Sequence, residues 1–197
     1  MNMGTKHLDL GCGETPRNPY RQIELYGVDI APMASAQAAR FKTANLSLEP
    51  IPFEESMFDS VSAFDFLEHV PRQVHFSDGT RSRLPFVELM NEVWRVLRPD
   101  GVFYALTPVF PHPSVFADPT HVNFITDKTH EYFCGAKPLA QMYGFRGQFE
   151  LINCERALPK DAMDSSQSIK KSVRKWHRRL FKPSALSHLV WELRATK

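Results

Sequence analysis

Two glycines one residue apart, in Lys6-His7-Leu8-Asp9-Leu10-Gly11-Cys12-Gly13, constrain the fold of this chain more than any other feature. They follow a short apolar run. Sixteen residues after Gly13 a second apolar run, Tyr26-Gly27-Val28-Asp29-Ile30, ends in a carboxylate. A strand entering a glycine turn beside a strand ending in an acid is the pattern of an open α/β sheet. In such sheets that turn lies at the carboxyl ends of the strands, where ligands bind. Glycine permits a left-handed backbone and a close approach by ligand that other residues prevent. The two oxygens of Asp29 suit the paired hydroxyls of a ribose. The pattern points to a nucleoside-containing ligand.

A dinucleotide would ask for G-x-G-x-x-G opening a helix, with the pyrophosphate on the helix N-terminus. Here Pro16 stands where the third glycine should be, Pro19 follows, and the acidic Glu14 faces the would-be phosphates. A first helix barely fits before Asp29. Hydride transfer from a nicotinamide is disfavoured.

Periodicity and turn chemistry predict strands at 6–10, 25–30, 41–46, 58–64, 102–107, 145–154 and 188–195. An alanine-rich helix is expected at 33–40. The clearest helix runs from Pro85 to Leu97, with Phe86, Leu89, Met90, Val93, Trp94 and Leu97 on one face. Arg98-Pro99-Asp100-Gly101 should stop it. Pro108, Pro111, Pro113 and Pro119 mark a long loop, because proline suits neither helix interior nor inner strand. A helical stretch at roughly 126–143 follows, broken near Gly135 and Pro138 and ended by Gly144. Strand and helix in alternation imply a doubly wound, mainly parallel sheet.

At 197 residues, 43% hydrophobic and 23% charged, the chain reads as one soluble globular domain. No apolar run approaches a membrane span, and the first residues enter a strand rather than a signal peptide, so cytoplasm is expected. Three unpaired cysteines (Cys12, Cys134, Cys154) fit neither a disulfide framework nor a zinc site. The net charge of +2 hides an asymmetry. Lys170, Lys171, Arg174, Lys175, Arg178, Arg179 and Lys182 cluster without an acid, and without these seven the remaining basic residues are outnumbered by 22 acids. Within that segment Ile169, Val173, Trp176 and Leu180 form an apolar stripe. Such a helix could pack on the sheet, lie on an anionic membrane, or meet RNA phosphates.

Six stretches together resemble the class I S-adenosylmethionine-dependent methyltransferases, type 11-like members in particular. They are Leu8-Asp9-Leu10-Gly11-Cys12-Gly13, Gly27-Val28-Asp29-Ile30, Ile51-Pro52-Phe53, Phe58-Asp59-Ser60-Val61, Phe66-Leu67-Glu68-His69-Val70 and Glu92 to Gly101, in the family's order. The resemblance implies a Rossmann-like seven-stranded sheet with an antiparallel last strand. It implies one methyltransferase domain over 1–197 with a basic helical insertion at about 159–185. It implies S-adenosylmethionine as cofactor, with Asp9 and the Gly11-Cys12-Gly13 turn at its amino-acid half. Cys12 itself reads as a small packing residue. Asp29 would take the ribose, Ile30 would pack on the adenine, and Asn45 or Leu46 would stand at the base edge. Phe64 and Asp65 would face the methionine. Thr15, where many members have a third glycine, leaves the contacts of 14–24 open.

Methyl transfer is an in-line displacement governed by positioning. An oxygen or nitrogen nucleophile often needs a base, and histidine suits that work. Two clusters could supply one: Asp65-Phe66-Leu67-Glu68-His69, and the proline-rich Phe110 to Phe124. The expected base is His121, with His112 second and the Asp118 carboxylate orienting the His121 ring. A metal held by His112, Asp118 and His121 is disfavoured, because hard-ion sites are carboxylate-rich, and no metal is expected. The stretch from Pro108 to Thr126 resembles bacterial methyltransferases associated with polysaccharide and glycolipid assembly. That resemblance implies a small-molecule or glycan oxygen as acceptor, and the basic stripe at 169–182 would allow contact with the inner membrane face. An RNA methyltransferase and a non-catalytic S-adenosylmethionine-binding protein remain alternatives, with nucleic acid the weaker partner.

Overall fold

The computed structural model describes residues 4–32, 39–77, 79–163, 165 and 186–197. The expected helix at 33–40 and the basic segment at 169–182 fall largely or wholly outside them.

The strands are β1 (Lys6–Leu10), β2 (Glu24–Asp29), β3 (Phe41–Thr43) and β4 (Phe58–Phe64). A two-residue hairpin follows, β5 (Val74–His75) with β6 (Ser82–Arg83), and then helix α1 (Pro85–Val96). β7 (Leu97–Pro108), β8 (Phe149–Ala157) and β9 (His188–Ala195) complete the set. Seven strands form one sheet in the order β3-β2-β1-β4-β7-β9-β8. The first five are parallel, and β9 runs antiparallel between β7 and β8.

α1 is built as its sequence demands. Proline opens it, where a missing N–H costs nothing. Phe86, Leu89, Met90, Val93 and Val96 are buried against one sheet face, together with Leu8, Leu10, Val61, Ala63, Phe103 and Trp191. Each fully buried large side chain of this kind is worth roughly 1.5–3 kcal/mol. Alternation along the strands sends His7, Asp9, Ser60, Ser62, Phe64, Tyr104 and Leu106 to the opposite face. There Tyr20 packs edge-on to Tyr104 at 6.1 Å, and its hydroxyl donates to Glu192 at 2.5 Å.

Four boundaries differ from expectation for local reasons. Arg98–Gly101 does not sit outside the strand but forms a bulge within β7. Leu97 pairs with Phe58 and Val102 already with Ser60, with Asp100 left-handed at φ 61°. β3 ends at Thr43 because Asn45 turns the chain: its Oδ1 accepts from the Ser47 N–H at 3.1 Å and its carbonyl from Leu48. The stretch at 126–143 is two short 3-10 turns, Thr129–Phe133 and Leu139–Tyr143, the second closed by Gly144 at φ 89°. The strand expected at 145–154 begins four residues later. Gly147 lies against Trp94, whose Cγ would be 2.6 Å from an added Cβ.

Candidate functional site

The carboxyl ends of β1, β2, β4 and β7 converge on one edge of the sheet. Gly11 and Gly13 leave β1 in left-handed conformations, φ 62° and 53°. Both the Gly11 and Cys12 amides donate to the Val28 carbonyl, which locks the turn to β2. A Cβ on Gly11 would strike the Phe66 ring at 2.6 Å, whereas one on Gly13 would meet nothing within 4 Å among the described residues. Gly11 is thus required by packing, and Gly13 faces open space. Asp29 caps β2, its Oδ2 accepting from the Gly13 amide at 2.8 Å and its Oδ1 from Ala31 at 2.9 Å. Ile30 beside it is 67% exposed. Cys12 is buried, and burial pushes its thiol up to about 12, which suits the packing role and no redox one.

Asp9 lies under the turn. Its Oδ2 accepts from the Arg17 amide at 2.8 Å and its Oδ1 from the Ser62 hydroxyl at 2.6 Å. Since Ser62 donates its proton to Asp9, its oxygen accepts from His7 Nε2–H at 2.8 Å. His7 Nδ1 then accepts from Ser60 at 2.7 Å. Burial holds His7 neutral, its pKa down to about 3, and pushes Asp9 up to about 7. Asp9 thereby braces the loop after the glycines. Asn45 turns the chain after β3, and Leu46 is buried in the main core.

At the end of β4, Phe64 is buried under Arg17, whose guanidinium lies 5.0 Å from the ring centre. Arg17 is the residue that sequence reading missed. A lone arginine in a proline-punctuated loop carries no pattern, and its place beside the β1 and β4 ends emerges only on folding. These groups could hold S-adenosylmethionine. Gly13 gives close approach, Asp29 two acceptor oxygens, Ile30 an apolar face and Arg17 a cation for a carboxylate.

The second half of the edge is a cleft of about 540 Å³ lined by Asp65, Glu68, Asp118, His121 and His188, among others. Asp65 stands at the end of β4 with φ 47°, and its carboxylate is 3.1 Å from Nε2 of His188 at the start of β9. Sequence reading passed over His188 because it sits 123 positions from Asp65. Glu68 and His69 belong to a 3-10 turn, Leu67–His69. The loop after β7 is stitched onto this turn. Val122 and Asn123 amides both donate to the Glu68 carbonyl at 2.9 Å, and the Asn123 side-chain amide donates to Leu67 at 3.1 Å.

His121 is turned by Val115, not by Asp118 as expected: its Nδ1–H donates to the Val115 carbonyl at 2.9 Å. Nε2 therefore carries the lone pair, 4.0 Å from Glu68 Oε1. The Asp118 carboxylate instead accepts from Thr120, at 2.6 Å from the hydroxyl and 2.8 Å from the amide. These bonds lower its pKa. The Thr120 oxygen then meets His69 Nδ1 at 3.0 Å. His112 is occupied as a cap, its Nδ1 accepting from the Ser114 amide at 3.1 Å. Glu68 is buried, which pushes its pKa up to about 7, and its Oε2 accepts from Thr107 at 2.9 Å.

A parallel five-stranded run with an antiparallel pair at one edge, and a glycine turn facing a strand-end carboxylate, define a class I S-adenosylmethionine-dependent methyltransferase, an enzyme whose cofactor is S-adenosylmethionine. The chain belongs to that class, and residues 8–105 match the family model described as a methyltransferase domain. Among curated proteins, none matches the sequence. Solved structures share the fold. A Mesorhizobium loti S-adenosylmethionine-dependent methyltransferase is 16% identical with a TM-score of 0.56, over 97% of this chain and 91% of that one. An Archaeoglobus fulgidus S-adenosylmethionine-dependent methyltransferase is 15% identical with a TM-score of 0.54, over 98% and 86%. Burkholderia thailandensis 1,6-didemethyltoxoflavin-N1-methyltransferase, with S-adenosylhomocysteine bound, is 16% identical with a TM-score of 0.51, over 98% and 71%. Among the described residues no helix is long and apolar enough to cross a membrane.

Proposed function

We propose that this methyltransferase acts on an oxygen of a small molecule or glycan, bound in the cleft between Asp65 and the loop after β7. The observation that carries the proposal is the placement of that cleft. It opens at the carboxyl ends of β4 and β7, on the same sheet edge as the glycine turn, and is walled by groups that accept or bond to hydroxyls. The Gly11-Cys12-Gly13 turn, Asp29, Ile30 and Arg17 hold the cofactor, Asp9 braces the loop beneath it, and Phe64 and Asp65 lie toward its methionine. Asn45 contributes its turn, and Leu46 supports it from the core. His121 acts on the acceptor hydroxyl through Nε2, the nitrogen that its bond to Val115 leaves basic. Asp118 serves by fixing Thr120 and His69, and His112 by capping the loop. Contact of the 169–182 segment with an anionic membrane would bring lipid-linked sugars to the cleft.

The test is methyl transfer from S-adenosylmethionine to a panel of nucleotide sugars, glycolipids and small hydroxylated acceptors. His121→Ala should lower turnover at least a hundredfold, within the range of about 10²–10⁴ for lost acid–base assistance, while S-adenosylhomocysteine binds as before. Wild-type turnover in that variant, or transfer confined to nitrogen acceptors, would overturn the assignment.

A further inference from the structure

Glu68 is 1% exposed and its Oε1 has no hydrogen-bond partner among the described residues, so a buried carboxylate oxygen points at a position that no described donor fills. An unmatched buried oxygen of this kind is costly, the more so when it is charged. What surrounds that position is unusual. One ligating atom from each of Glu68, His69 and His121 lies within 4.8 Å of the others. The two rings stand edge to face, 4.8 Å between centres. His121 gives its Nδ1–H to the Val115 carbonyl. The Thr120 hydroxyl, spent on Asp118, can only accept from His69 Nδ1–H. Each imidazole is therefore held in the tautomer that leaves Nε2 as a lone pair. Metal-bound histidines are oriented in this way, through a carbonyl or carboxylate on the second nitrogen.

We infer that Glu68, His69 and His121 form a binding site for one divalent transition-metal cation, with two imidazole nitrogens and one carboxylate oxygen as ligands. Two nitrogens and one oxygen favour zinc, iron(II) or manganese over magnesium, which prefers oxygen ligands and water. Metal–ligand bonds of about 2.0–2.2 Å set ligand atoms roughly 3 Å apart. The 4.0 Å between His121 Nε2 and Glu68 Oε1 must then close by about 1 Å. Three protein ligands leave coordination positions open toward the cleft.

The site's use rests on the proposal that the cleft holds the acceptor; its ability to bind a cation does not. A cation there lowers the pKa of a coordinated hydroxyl. The acceptor O–H then gives its proton to water, the oxygen forms its bond to the methyl carbon, and the C–S bond breaks with the pair left on sulfur. With the cation bound, His121 Nε2 would serve as a ligand; in its absence the same nitrogen is the base proposed above.

The experiment is titration of chelator-stripped protein with Co²⁺, followed by calorimetry and visible absorption. One equivalent should bind at micromolar concentration, with weak d–d bands and without the intense near-ultraviolet absorption of a thiolate ligand. Glu68→Gln, the same size, should weaken binding at least a hundredfold. Thr120→Val, at an exposed residue, should weaken it about tenfold, the lower bound for a lost outer partner. No stoichiometric binding at millimolar Co²⁺, or equal binding in Glu68→Gln, would overturn the inference. Titrating the same samples with S-adenosylhomocysteine separates the two claims: normal binding of that ligand without cobalt binding rejects the metal and leaves the methyltransferase standing.

Discussion

Alanine at the two turn glycines should separate folding from cofactor binding. Both glycines are left-handed, so alanine at either position costs about 1–2 kcal/mol of backbone strain. At Gly13 no further cost is expected, since the new methyl meets no atom of the described residues within 4 Å. Gly13→Ala should lose about 1–2 kcal/mol, a few degrees in Tm for a domain of this size. At Gly11 the methyl also runs into the Phe66 ring at 2.6 Å, and overpacking adds roughly 1–3 kcal/mol. Gly11→Ala should therefore be the less stable variant by at least about 1 kcal/mol. Binding should separate differently. If the cofactor makes its close approach beside Gly13, as the proposed pocket requires, Gly13→Ala should weaken S-adenosylhomocysteine at least tenfold, about 1.4 kcal/mol, although it folds. Urea unfolding gives the stabilities, and calorimetric titration gives the affinities. Wild-type affinity in a folded Gly13→Ala protein would refute the turn as the cofactor's cradle. Equal stability of the two variants would refute the packing argument.

Asp29→Ala should weaken S-adenosylhomocysteine at least tenfold by calorimetry, and unchanged affinity would remove the carboxylate from the pocket. Gly27→Ala should destabilise by about 1–3 kcal/mol in urea, because its methyl would lie 2.7 Å from Cys12 Sγ and 2.8 Å from the Phe41 ring. The buried His7–Ser62–Asp9 chain makes a pH prediction. Asp9, raised to about 7, contributes stability below its unfolded pKa that is lost as pH rises to 7. His7, lowered to about 3, contributes stability above its unfolded pKa that is lost as pH falls toward 3. Between about pH 4 and 6.5 the native pair and the unfolded pair each hold one proton, so the two slopes cancel. His7→Asn removes one of them. Its stability should fall relative to wild type by about 1.4 kcal/mol per unit from pH 4.5 to 6.5, and parallel urea profiles would contradict the assigned protonation states.

Much of the sheet is legible because its signals are local. β1, β4 and β9 match the ranges that apolar alternation marks, and α1 ends within one residue of its expected limit. Glycines 11 and 13 before a strand-end Asp29 are a pattern that backbone stereochemistry forces, so the turn and the acid facing it could be found without coordinates. The bulge at Arg98–Gly101 and the early end of β3 were less legible. A turn signal states that the chain bends, not whether pairing resumes beyond the bend.

The sequence alone determined the elements, the glycine turn and the acid across from it, since each depends on neighbours within a few residues. Only the tertiary structure decided which polar side chains share an environment. Packing β9 between β7 and β8 brings His188 to Asp65. Folding the loop after β7 onto the Leu67–His69 turn gives His121 to Val115 and Asp118 to Thr120, and leaves one Glu68 oxygen unmatched among the described residues. Those partnerships join residues up to 123 positions apart in sequence. Nothing local encodes them, because hydrogen bonds and burial depend on distance in space and not along the chain.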